Sequence, residues 1–132
     1  MPSVIHQVTF DCADAFRLAT FWADVLGGSL HPEDQPGDPE ALVQTPDGRR
    51  ILLLQVVPEG KTVKNRLHLD LQPQEVRRDD EVERLLGLGA TVVKDHRNPD
   101  GTGWVTMADV EGNEFCVERS DAERSDAERA ER

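Results

Sequence analysis

In this 132-residue sequence, Gln7, Gln55, His68, Asp70 and Cys116 are side chains of the kinds that hold or transform small molecules, placed where strand alternation can bring them together. An imidazole two residues from a carboxylate can pass a proton near neutral pH. His68 and Asp70 are therefore the candidate catalytic pair. His68 is also the one strong candidate ligand for a divalent metal. Amide oxygens bind transition metals weakly, and a thiol must first lose its proton. No tight metal site and no cofactor are therefore expected, although a divalent metal remains open. No base stands next to Cys116 in sequence, so its expected role is to line a site rather than to attack a substrate.

Strands and helices must bring these groups together. Residues 4–11 alternate as a strand, with Val8 and Phe10 on one face and Gln7, Thr9 and Asp11 on the other. Asp14 is the expected N-cap of a helix whose apolar stripe is Leu18, Phe21, Trp22, Val25 and Leu26. Gly27 and Gly28 end that helix. Residues 31–40 are loop chemistry. Residues 41–44 and 51–57 flank Thr45-Pro46-Asp47-Gly48, the signature of a hairpin.

The same order then recurs. Residues 66–71 alternate leucines with His68 and Asp70. Asp79-Asp80-Glu81 leads into a helix carrying Val82, Leu85 and Leu86, closed by Gly87 and Gly89. Residues 90–94 form a strand. Residues 104–108 and 113–118 flank a second hairpin turn, Asp109-Val110-Glu111-Gly112. Strand, helix, strand, loop and hairpin thus occur twice. Gln7 and His68 are 61 residues apart, as are Gln55 and Cys116.

Side chains alternate across a strand, so the leucine and phenylalanine faces must lie beneath the helices. The opposite faces then carry Gln7, Thr9, Asp11, Gln55, His68, Asp70, Glu114, Cys116 and Glu118. Short polar groups of this kind line ligand sites more than they coat plain solvent-facing sheets. Gln7, Thr9, Asp11, Gln55, Cys116 and Trp104 are the expected ligand-binding residues. Trp104, after Gly101-Thr102-Gly103, serves either the core or a cavity mouth. Trp22 lies on the helical stripe and belongs to the core. Cys12 shares parity with Phe10 and is an expected inert, buried thiol. His31 and His96 fall in loops and carry no argument.

The run from the first strand through Cys12-Ala13-Asp14 to Phe21-Trp22-Ala23-Asp24-Val25-Leu26-Gly27 resembles the opening unit of glyoxalase and bleomycin-resistance-like proteins of the vicinal oxygen chelate superfamily. Residues 65–71 resemble the start of their second unit. Asp109-Val110-Glu111-Gly112-Asn113 resembles their late D-P-x-G-N turn, with valine in place of proline. The resemblance spans residues 4–119. It implies an α+β fold of two tandem βαβββ modules, about 4–58 and 65–119, whose sheets curl around a central cavity. It also implies that the family's four metal-ligand positions fall on Gln7, Gln55, His68 and Cys116, a set lacking the usual acidic ligand at the last position. It further implies a homodimer.

The formal net charge of −11, from 26 acidic and 15 basic residues, argues against nucleic-acid and membrane-surface partners. Two cysteines without a CxxC pair exclude zinc-ribbon and thioredoxin-like readings. No secretory signal or membrane-length apolar run is seen, so the cytoplasm is the expected compartment. Residues 120–132 are a charged repeat without an apolar face, expected to be disordered or a frayed helix and to act as a solubilising tail. Two functions stay open. The first is a binding protein that holds a small organic molecule in its cavity. The alternative is a metal-dependent lyase, isomerase or dioxygenase-like enzyme, with metal-free proton transfer by His68 and Asp70 as a variant. A third role, partner binding by the tail, is also retained.

Overall fold

Asp14 starts the first helix by accepting a hydrogen bond from the Arg17 amide at 3.1 Å. The helix, α1, runs Ala15–Leu26 and stops at Gly27, whose φ of 64° is the left-handed conformation that glycine adopts freely. The computed structural model describes residues 1–125. Its chain divides between Thr62 and Val63 into two compact units.

In the first unit, β1 (Val8–Cys12), β2 (Ser29–Leu30), β3 (Glu40–Gln44) and β4 (Arg50–Val56) form a sheet in the order β1-β4-β3-β2. β1 lies parallel to β4, and the β2–β3 and β3–β4 pairs are antiparallel. Trp22, Leu18, Val43, Leu52 and Leu54 are fully buried between α1 and this sheet. Phe10 and Phe21 meet the Trp22 ring edge-on, with centroids 5.7 and 5.5 Å away. Trp22 is thus core, and Cys12, which shares the parity of Phe10 on β1, is buried as well.

The second unit repeats the plan with β5 (Leu69–Leu71), α2 (Arg78–Leu88), β6 (Thr91–Asp95), β7 (Val105–Ala108) and β8 (Glu114–Val117). Its sheet order is β5-β8-β7-β6, with β5 parallel to β8. Val82, Leu85, Val105, Met107, Phe115 and Val117 form its core. The fold is therefore α+β, with two four-stranded mixed sheets in tandem βαβββ-like modules.

Some elements are shorter than expected. β1 begins at Val8, not at residue 4, and Val4 and Ile5 are exposed. Val8 pairs with Leu52, so residues upstream of His6 run past the start of β4 at Arg50 and find no partner strand. β5 begins at Leu69 rather than residue 66. Leu69 pairs with Phe115, which puts Leu67 beside the turn before β8, and Leu67 is exposed instead of lying beneath α2. Gly87 lies inside α2, and Gly89 alone caps it.

The start of the charged tail also differs. Residues 121–125 are helical, but Ser120 and Glu123 are buried. The Glu123 amide donates to the Ser120 hydroxyl at 3.2 Å, and the Ser120 amide donates back to the Glu123 carboxylate at 3.3 Å. This reciprocal cap satisfies helix-terminal donors. The same carboxylate accepts the backbone N–H of Arg78 at the start of α2. The side chain of Arg77, the N-cap of α2, does not cap the helix, so Glu123 does that work from the other end of the module. The expectation for residues 126–132 lies outside the described residues.

Candidate functional site

Alternation along β5 and β8 decides which groups meet in the second module. Leu69 pairs with Phe115 and Leu71 with Val117, and these residues turn toward the helix side. Asp70 pairs with Cys116 between them, and Thr106 of β7 pairs with Cys116 from the other side. His68 precedes β5 by one residue and shares the parity of Asp70. Its Nδ1 lies 3.1 Å from Oδ1 of Asp70.

These groups line a hollow of about 350 Å³ together with Lys64, Trp104, Glu114 and Glu118. That volume is at the lower end for small-molecule pockets. Trp104 forms one wall, with 44% of its surface exposed. Its other ring contact is His96, stacked at 4.5 Å and 20°. Of the two roles open to Trp104, the structure assigns the mouth of a hollow, not the core.

The hollow is electrically uneven. Asp70, Glu114 and Glu118 face Lys64 and His68. Glu114 accepts the Asn65 amide at 3.0 Å, and Glu118 lies 3.6 Å from Arg124. Burial pushes the Cys116 thiol pKa up, and the charges of Asp70 and Glu118 push the same way, against a lowering hydrogen bond from Thr106. The thiol is therefore held protonated, which suits a lining group better than a nucleophile.

The first module presents a separate helix-free face. Thr9, Asp11 and Gln55 are exposed there, and Gln7 is half-buried. Asp11 and Gln55 are register partners across β1 and β4. The buried Oε1 of Gln7 accepts no hydrogen bond among the described residues. Leu53, partly buried, shares this face, because Leu52 and Leu54 turn inward under α1. His6 is exposed and contacts Arg50 at 3.0 Å.

His68, Asp70, Cys116 and Trp104 thus surround one hollow, while Gln7, Thr9, Asp11 and Gln55 share one sheet face. Lys64, Thr106 and His96 were not singled out by sequence. Thr106 was findable, since it sits between the apolar Val105 and Met107. Lys64 and His96 come from a connector and a loop, where no periodicity points.

One donor atom each from His68, Asp70 and Cys116 lie within 4.8 Å of one another. Bonds of about 2.0–2.3 Å at a tetrahedral angle separate two donors by about 3.5 Å, so donors 4.8 Å apart must draw closer to share a zinc-class ion. Imidazole, carboxylate and thiolate are all ligand types for it. By ligand type the trio fits a divalent cation, provided the ion draws the three donors together and displaces the thiol proton and the His68–Asp70 contact.

A family model described as a glyoxalase-like domain matches residues 7–118. This chain belongs to the glyoxalase-like domain family. Its superfamily is that of glyoxalase, bleomycin-resistance and dioxygenase proteins. No curated protein matches the chain. Among solved structures, a glyoxalase/bleomycin resistance protein/dioxygenase family enzyme from Burkholderia phytofirmans PsJN is similar at 18% identity and a TM-score of 0.62, covering 85% of this chain and 94% of that one. A possible glyoxalase from Bacillus cereus is 20% identical with a TM-score of 0.61, covering 89% and 99%. The fosfomycin resistance protein FosX from Listeria monocytogenes, complexed with Mn(II) and sulfate, is 18% identical with a TM-score of 0.64, covering 95% and 99%. At these identities the structures speak for the fold of the glyoxalase-like domain. No helix among its described residues is long and apolar enough to cross a membrane.

Proposed function

We propose that this glyoxalase-like domain binds a small organic molecule in the hollow of its second module. The observation that carries the reading is the convergence of His68, Asp70, Cys116 and Trp104 on one 350 Å³ space. Trp104 offers a flat apolar surface, His68 and Asp70 a paired donor and acceptor, and Cys116 a neutral thiol wall. On the first module, Gln7, Thr9, Asp11 and Gln55 are assigned to ligand contact as a polar face of their own. The family resemblance also supports assembly as a homodimer, which light scattering at micromolar concentration tests.

A thermal-shift screen against metabolites and antibiotics tests the binding reading. A ligand at a hundred times its Kd stabilises the fold by about 2.7 kcal/mol. His68→Ala and Trp104→Ala should each weaken a hit at least about tenfold, the scale expected of central contacts. A hit whose affinity survives both substitutions places the ligand elsewhere.

A second reading, metal-dependent lyase, isomerase or dioxygenase-like chemistry, has one observation in its favour. By ligand type His68, Asp70 and Cys116 fit a divalent cation, which when bound would polarise an oxygen of a substrate. Cobalt(II) titration tests it. Sulfur-to-cobalt absorption that disappears in Cys116→Ser supports the reading, and its absence from the parent protein rejects it.

A further inference from the structure

Arg78 is buried to 4% exposure, which is rare for a charged side chain. It lies outside the hollow, yet its bonds lead there. Its Nη1 donates to three consecutive carbonyls, Gly101 at 3.2 Å, Thr102 at 3.1 Å and Gly103 at 3.0 Å. Its Nε donates to Asp79 at 3.0 Å. Asp79 also accepts from Arg97 at 3.1 Å, and Arg97 grips Asp95 through two nitrogens at 3.0 and 2.8 Å. Both ends of the loop between β6 and β7 are therefore tied to the start of α2.

That loop delivers Trp104. The His96 amide donates to the Trp104 carbonyl at 2.9 Å. Gly103, at φ 93°, lets the two backbones close: a Cβ there would stand 2.0 Å from the His96 carbonyl oxygen. The backbone that carries the Trp104 ring thus has little freedom to move unless the 101–103 carbonyls move first.

We infer that Arg78 is a positioning residue for Trp104, fixing from behind the aromatic wall of the hollow. Nη1 holds the carbonyls while Nε holds Asp79, and this fixed spacing of donors on one rigid plane is what a single rotatable ammonium does not reproduce. Glu123 extends the arrangement by capping the amide of Arg78 itself. The consequence for ligand selection rests on the reading of the hollow as a binding site, but the positioning itself does not.

Three variants of the full chain test this: Arg78→Lys, Arg78→Gln and, as a control for general destabilisation, Val82→Ala in the core of α2. Acrylamide quenching of tryptophan emission reports mainly Trp104, because Trp22 is fully buried. Deuterium uptake of peptides covering 98–104 reports the loop. Both arginine variants should raise the quenching constant about twofold and speed loop exchange about tenfold, since charge-assisted bonds hold the loop closed. Val82→Ala should change neither at temperatures where it remains folded. Arg78→Lys keeps the charge and is read if Arg78→Gln does not fold. Parent-like quenching and exchange in Arg78→Lys, or an equal effect of Val82→Ala, overturns the inference. Neither readout involves a ligand, so a failed ligand screen would leave this result standing.

Discussion

Asp70 and Cys116 are register partners across the parallel β5–β8 pair, and the Asp70 carboxylate helps hold the Cys116 thiol in its protonated form. Burial is the larger cause of that shift, with Asp70 and Glu118 adding to it. Asp70→Asn should therefore lower the thiol pKa and speed alkylation of Cys116 by iodoacetamide at pH 8, by about threefold if one nearby charge is removed. Peptide mass spectrometry checks this, with buried Cys12 as internal reference. A slower or unchanged rate would show that the carboxylate does not act on the sulfur.

Acid should loosen the loop between β6 and β7 before it unfolds the module. Hydrogen bonds from Arg97 hold the Asp95 pKa down to about 2. Asp79 is raised by burial, yet bonds from Arg78 and Arg97 outweigh this and leave it lowered. A depressed carboxylate stabilises the fold fully above its unfolded pKa, near about 3.9, and loses that contribution as pH falls through the folded value. Exchange in peptides 95–104 should thus accelerate between pH 4 and about 2, relative to the α1 core. Arg97→Gln should flatten that dependence.

Glu123→Ala should destabilise the second module, because it removes the cap of α2 and half of a reciprocal cap with Ser120. The expected loss is about 1–2 kcal/mol, as for helix caps generally. Urea unfolding measures it. A chain ending at Ser125 retains all of these contacts. A chain ending at Arg119 should show at least the loss of Glu123→Ala.

Gly28→Ala tests the join between α1 and β2. An added Cβ would lie 2.2 Å from the backbone oxygen of Gln44, on the strand that β2 pairs with. Backbone cannot swing aside as a side chain can, so a cost of about 1–3 kcal/mol is expected. Gly87→Ala, where nothing lies within 4 Å, should instead be neutral or stabilising by up to about 1 kcal/mol.

The repeat, both helices and the two hairpins were legible because each follows from local chemistry. Asp14 and Gly27 mark the ends of α1, and the turn residues mark the hairpins. Parity correctly put His68, Asp70 and Cys116 on one face. Strand ends were less legible, because a strand stops where its partner stops. Nothing in residues 4–7 announces that β4 begins at Arg50. The roles of Arg78, His96 and Glu123 were not legible at all. They depend on contacts made across 45 residues or between loop backbones, where hydrophobic periodicity carries no information. Reading residues 120–132 by composition alone missed the Ser120–Glu123 cap for the same reason.

In each module the earliest-made strand lies beside the latest-made one, β1 against β4 and β5 against β8. On the ribosome, the amino-terminal sheet therefore cannot close until Val56 has cleared the exit tunnel, however early α1 forms. Nascent chains stalled with that residue still enclosed should remain protease-sensitive, and protection should appear in one step as it emerges. A gradual gain of resistance with chain length would contradict that order of assembly.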